Sequence, residues 1–309
     1  MPNVTASVTA TRIQILQTAI GPYRHTAALR TGQVASDLLR LDFADVSPIS
    51  RAFAPMVRGG FDVSEMALAT ILQARAYGKP IVVLPVTLAA RFQEAALLCR
   101  TSSALRGPAG LAGCRVGVRA YSQTTGMWLR GILANDHGVA ADKIRWLTFE
   151  DAHVAEYTDP PWAERAPPGA DMLAMLRAGD LDAVIVGNDI PDDPGLRTVF
   201  SDPDAAAEVF WRRHGFVPVN HLLTVRRTFA DTRPDLVAEL FRMFRLAKAA
   251  VPLTPGARDT LPMGRAALQP IIDLALCISA EQGLLPRALH ASDIWSGLPA
   301  SINELENTL

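Results

Sequence analysis

Apolar residues in this chain fall into short runs of strand length, separated by stretches in which they recur at helical spacing. The runs at 12–18, 39–43, 61–63 and 81–85 read as strands. Between them 26–30, 49–58 and 64–76 read as helices, with Ser64 placed to cap the last. Gly78-Lys79-Pro80 breaks that helix before the strand at 81–85. The cycle restarts after the turn-rich Gly107-Pro108-Ala109-Gly110, with strands expected at 115–118, 144–149 and 182–186. Helices are expected at 121–134 and 171–178, the second closed by Gly179. Residues 157–169, where Pro160, Pro161, Pro167 and Pro168 surround Trp162, read as a surface loop. A returning strand at 217–226 and an amphipathic helix at 234–250 follow, and the stretch from Pro255 is mostly helical.

Alternating strands and helices predict an α/β fold whose strands are joined by helical crossovers. The second cycle is entered once, near 95–100, and left once, near 217–226, so two lobes are expected. Residues 1–96 with 226–309 would form lobe I and 97–225 lobe II, with the ligand cleft between them.

Composition narrows the function. Of 309 residues 49% are hydrophobic and 20% charged, which excludes disorder and allows a large core. Thirty basic against 31 acidic residues give a net charge of −1, and no Lys/Arg run concentrates charge locally, so nucleic acid is not an expected partner. The longest apolar runs, 81–85 and 184–186, fall far short of the roughly 20 residues of a membrane span. Residues 1–11 lack the basic-then-apolar order of a secretory signal, so a cytoplasmic protein is expected. Cys99, Cys114 and Cys277 stand singly in apolar contexts and read as buried thiols.

Three segments follow predicted strand ends and would face the cleft. In Gly21-Pro22-Tyr23-Arg24-His25-Thr26, Arg24 suits carboxylate capture and His25 proton transfer near neutral pH, unless the pair is simply a surface one. In Phe61-Asp62-Val63-Ser64-Glu65-Met66, Glu65 is either a first-turn helix acid or, in a dry cleft, an acid or base. In Arg119-Ala120-Tyr121-Ser122-Gln123-Thr124-Thr125-Gly126, hydroxyls run from a strand into a helix start whose free N–H groups form an anion site; ordinary capping is the plainer alternative. His221 lies on the returning strand, facing either cleft or core, while His137, His153, His214 and His290 read as structural. No P-loop, G-x-G-x-x-G or G-x-S-x-G occurs, and no residue set demands a metal or cofactor.

At these same segments the chain resembles the 4,5-dihydroxyphthalate decarboxylase family, itself similar to type 2 periplasmic solute-binding proteins. The resemblance covers about residues 12–250. It is carried by Phe61-Asp62-Val63-Ser64-Glu65-Met66, by Tyr121 and Thr124 with Trp128-Leu129-Arg130-Gly131-Ile132-Leu133, and by Gly215-Phe216-Val217-Pro218-Val219-Asn220-His221. Tyr23 and Thr26, Pro85-Val86 and Arg115-Val116-Gly117-Val118 add to it. The chain departs from the family at Pro22, Arg24 and His25, at Ala120, and after Pro85-Val86, where a single Arg91 replaces a stretch bearing Arg and His.

The resemblance implies a two-lobe fold of mixed sheets flanked by helices, with a small anionic carboxylate as the ligand. It implies loss of CO₂ from a hydroxylated aromatic acid, with His25 or Glu65 as proton donor and His221 on a ring hydroxyl. Substrate contacts would come from Tyr23, Arg24, Ser64, Arg91, Tyr121, Ser122, Gln123, Thr124, Thr125 and Asn220. A non-catalytic solute-binding protein with the same cleft is the alternative; an enzyme of pyrimidine or thiamine-precursor synthesis has less support. Whether the chain forms a homo-oligomer is left open.

Overall fold

The computed structural model describes residues 13–188, 190–254 and 256–306. The N-terminal stretch 1–11, Arg12 at the expected strand start, and Pro255 lie outside the described residues. The first cycle runs β1 (Gln14–Ala19), α1 (Ala27–Arg30), β2 (Leu39–Phe43), α2 (Phe53–Val57), β3 (Val63–Ala67), α3 (Leu68–Ala76) and β4 (Ile81–Ala90). The second runs β5 (Leu97–Arg100), β6 (Arg115–Val118), α4 (Thr124–His137), β7 (Arg145–Thr148), β8 (Ala163–Arg165), α5 (Met172–Ala178), β9 (Ala183–Ile185), β10 (Leu196–Thr198) and α6 (Pro203–His214). The chain then returns through β11 (Val219–Arg226) to α7 (Arg227–Thr232), α8 (Pro234–Ala249), α9 (Arg265–Glu281), α10 (Ala291–Trp295) and α11 (Ser301–Glu306).

Two mixed sheets result, one in each lobe. The first has the order β2-β1-β3-β11-β4 and the second β10-β5-β9-β6-β7-β8. In the first, β1 is parallel to β2 and β3, while β11 runs antiparallel between β3 and β4. Pro85 cannot donate to a ladder, and the β4–β11 register slips around it and beside His221. Such bulges re-aim side chains, and this one lies where the cleft is built.

Amphipathic α8 covers one face of the first sheet: Leu236, Leu240, Phe241 and Phe244 pack in one cluster with Val82, Leu84, Leu223 and Val225. Each such fully buried side chain contributes roughly 1.5–3 kcal/mol. A second cluster runs under both lobes, joining Leu68, Ile71 and Leu72 of α3 with Trp128 and Leu129 of α4 and Ile271 and Ile278 of α9.

Several expectations change. The segment 64–76 begins as strand, because Val63–Ala67 is buried at every position and pairs on both sides, so Glu65 sits on a strand and Ser64 caps nothing. The N-cap of α3 is Ala67, which has no capping oxygen; Thr124 Oγ1 of α4 accepts from Ala69 N–H at 3.0 Å instead. The expected loop at 157–169 contains β8, which pairs with β7, and the half-buried Trp162. Helix α6 escapes the hydrophobic pattern because it buries only Ala207 and Phe210, although Asp202, Pro203 and Gly215 bracket it with good cap chemistry. Of the three thiols only Cys99 is buried; Cys114 is half-buried and Cys277 exposed on the outer side of α9. No described helix is long and apolar enough to cross a membrane.

The cap that α4 lends to α3 is open to test. Replacing Thr124 by Val keeps the shape but removes the acceptor, which should lower unfolding stability by about 1 kcal/mol in ligand-free protein, while Thr124→Ser should keep most of it. Urea unfolding midpoints of the two variants against the parent check this.

Candidate functional site

A cavity of about 850 Å³ lies between the lobes. Its first wall is built around a buried carboxylate. Glu65 on β3 and His221 on β11 are diagonal neighbours on one face, since His221 pairs with Ala67 and Glu65 with Leu223. That places His221 Nδ1 2.5 Å from Glu65 Oε1. Oε2 accepts from the Gly21 amide at 2.9 Å, and the Tyr23 hydroxyl donates to Oε1. Gly21 is required here: a Cβ at that position would stand 2.8 Å from the Tyr23 ring that folds back over it.

Glu65 is fully buried. Burial alone would raise its pKa, but the hydrogen bond and charge of His221, with the bonds from Tyr23 and Gly21, outweigh it and hold the carboxyl below its usual range. Glu65 is therefore ionised at neutral pH. Tyr23 keeps its proton, because burial and then the neighbouring carboxylate push its pKa far up. With all three contacts to Glu65 made by donors, His221 carries a hydrogen on Nδ1, and its ring lines the cavity.

His25 also lines the cavity, stacked on Tyr23 at 5.3 Å. Its Nε2 is buried without a partner among the described residues. Burial lowers its pKa and nearby Lys248 adds to this, against the opposing pull of Glu65. Arg24 is exposed and outside the wall: in the tight turn Arg24–Thr26, successive side chains diverge, so the turn that points His25 inward points Arg24 out.

The facing wall is rich in hydrogen-bond donors. Helix α4 begins at Thr124 with no side-chain cap from Gln123, so its first amides open toward the cavity that Ser122, Gln123, Thr124 and Thr125 line. Arg91 stands beside them, donating to Thr125 Oγ1 at 3.0 Å. Arg119 also lines the cavity but is paired with Glu150 at 2.7 Å. Asn220 lines it with its amide oxygen held by Gln93 Nε2 at 2.9 Å, a bond that ties β11 to the segment between β4 and β5 where the chain crosses between lobes.

Besides Arg24, three expected site residues lie elsewhere. Glu65 is behind His221 and not in the wall itself. Ser64 points away from Glu65, as strand alternation demands, and its hydroxyl donates to the Glu65 carbonyl at 2.8 Å. Tyr121 is fully buried beneath the α4 start; its hydroxyl donates to the Gln282 carbonyl and accepts from Trp162, and the Arg130 guanidinium lies 3.9 Å over its ring. Arg119, at the head of the third predicted segment, lines the wall, as do Phe53 and Thr70, which no sequence feature singled out, and His153, which was expected to be structural. Nothing local to His153 signals this, since it stands alone in a polar loop.

No protein-family model matches the chain. It is 27% identical to a 4,5-dihydroxyphthalate decarboxylase of Comamonas testosteroni over 94% of its own length and 98% of that enzyme. It is 28% identical to a 4,5-dihydroxyphthalate decarboxylase of Pseudomonas putida over 64% of its own length and 81% of that enzyme. Among solved structures, the alkanesulfonate-binding protein SsuA of Xanthomonas axonopodis pv. citri, bound to MOPS, matches with a TM-score of 0.59 at 14% identity, covering 92% of this chain and 97% of that one. In sequence the chain is thus similar to two 4,5-dihydroxyphthalate decarboxylases, and in fold it is similar to the alkanesulfonate-binding protein SsuA.

Proposed function

We propose that this chain is a cofactor-independent decarboxylase that removes CO₂ from a hydroxylated aromatic carboxylate, such as 4,5-dihydroxyphthalate or a related small anion, in the breakdown of aromatic compounds in the cytoplasm. The observation that carries this reading is the imidazole of His221, oriented by an ionised carboxylate 2.5 Å behind it and facing a wall of anion donors. The likeness to two decarboxylases supports it.

In this reading Arg91 and the open amides of α4 hold a substrate carboxylate through charge-assisted hydrogen bonds. His221 Nε2 takes the proton of a ring hydroxyl, and Glu65 stabilises the imidazolium that forms. The phenolate pushes electron density onto the carbon that bears the departing carboxylate, and His25 protonates that carbon. The bond to the carboxylate then breaks, its electron pair restores the aromatic ring, and CO₂ leaves. His221 returns its proton to the oxygen, and solvent reprotonates His25. A non-catalytic solute-binding protein is the second reading, favoured by the fold shared with SsuA and by a cleft whose single carboxylate-free guanidinium is Arg91 among the described residues.

Incubating the purified protein with 4,5-dihydroxyphthalate and hydroxybenzoates, while following CO₂ and ring absorbance, separates the two. Turnover is expected; tight binding with no CO₂ released from any compound gives the cleft to the second reading. His221→Asn should lower kcat by about 10²–10⁴ with KM nearly unchanged. Glu65→Gln, which leaves the imidazole without its negative partner, should fall in the same direction, provided circular dichroism shows it folded.

The pH profile tests the donor. His25 must carry a proton to give one, and its pKa is lowered from the 6.5 of an ordinary imidazole. The kcat/KM of the free enzyme should therefore decline as pH rises through a value below 6.5, and His25→Asn should abolish turnover at every pH. A decline centred well above that value assigns the proton to another group.

A further inference from the structure

One imidazole in the cleft has no part in the chemistry above. His153 stands in the loop after β7, yet its ring reaches α3 of the other lobe, where Nδ1 lies 2.8 Å from Thr70 Oγ1. Phe53 fixes where it points. The rings of His153 and His221 meet Phe53 edge to face at 5.4 and 5.2 Å, with interplanar angles of 88° and 76°. Two imidazoles, carried by different lobes, therefore contact one aromatic ring, and all three groups line the cavity.

The two rings offer opposite hydrogen-bonding characters. Thr70 is 1% exposed, and among the described residues its hydroxyl has no other partner than His153. Leaving a buried hydroxyl hydrogen without an acceptor is costly, so Thr70 donates to Nδ1 and the hydrogen of His153 sits on Nε2. Burial, reinforced by Arg119 and His221, holds the pKa of His153 down to about 4, which leaves the ring neutral in ordinary assay conditions. His153 is thus a neutral N–H donor, whereas His221, its Nδ1 hydrogen bonded to Glu65, is the base of the decarboxylase reading.

We infer that His153 is a specificity-determining residue: its Nε2–H donates to a second ring oxygen next to the hydroxyl that His221 deprotonates, so that the site selects aromatic rings carrying two adjacent oxygens. This rests on the decarboxylase reading for the kind of ring bound. A catechol-type edge matches the pair, one oxygen giving its proton to His221 and its neighbour accepting from His153. A neutral donor suits this place, because it holds the second oxygen without moving a proton.

Calorimetric titration of the full chain with 4,5-dihydroxyphthalate and 4-hydroxyphthalate, which differ only in the second hydroxyl, tests this apart from turnover. The parent protein should bind the dihydroxy compound about tenfold more tightly, as expected for one well-placed hydrogen bond. His153→Ala should bring the two Kd values together mainly by weakening the dihydroxy compound, while His153→Gln, which keeps a neutral N–H, should retain most of the preference. Thr70→Val, which removes the group that sets the tautomer, should lower the preference part of the way and covers the case in which His153→Ala fails to fold. An unchanged Kd ratio in the folded variants, no preference in the parent, or no binding of either compound overturns the inference. Turnover of both compounds with an unchanged ratio sinks this inference and leaves the decarboxylase reading standing; the expected ratios with no CO₂ released do the reverse.

Discussion

The structure around the cleft is organised by one buried charge. A carboxylate removed from water is strongly destabilising unless hydrogen bonds replace its hydration. Glu65, with no exposed surface, obtains these from the Gly21 amide, the Tyr23 hydroxyl and the His221 imidazole. Each donor arrives from a different part of the first lobe: the turn after β1, the segment that folds back over it, and the antiparallel strand β11. Satisfying the charge therefore fixes the relative placement of those segments, and the ring that faces the cavity inherits that rigidity.

The cleft divides its polarity between its walls. The first wall carries His25, His221 and Phe53 over the compensated charge of Glu65. The second offers Arg91, the open end of α4 and hydroxyls, while Arg119 is neutralised by Glu150. An anion docked on the second wall leaves its ring against the first, beside His221 and His25. Beneath both walls the α3–α4–α9 core and the cap that Thr124 lends to α3 hold the lobes together. His153 depends on this as well, since its orienting partner Thr70 belongs to the opposite lobe.

Much of this was legible in the residues. Tyr23, His25, Arg91, Asn220, His221 and the run from Ser122 to Thr125 all line the cavity, because each lies just past a strand or crossing segment where α/β folds place their sites. Glu65 was singled out from a motif, but its helical placement was wrong: in a strand buried on both faces the apolar and polar residues do not alternate, so the pattern does not distinguish it from a helix start. Arg24 and Tyr121 illustrate the opposite limit. Each adjoins a residue that lines the cavity, and only the direction of a tight turn or the packing of Arg130 over an aromatic ring sends it elsewhere.

Length, apolar periodicity and turn chemistry by themselves determined an α/β chain with a second cycle inserted in the first, because those signals act between residues a few positions apart. The tertiary structure alone decided that Glu65 serves His221, 156 positions away, and that Thr70 serves His153 across 83. Which nitrogen of an imidazole carries hydrogen, and so whether it gives or accepts, is settled by its spatial neighbour, and no local pattern encodes that neighbour.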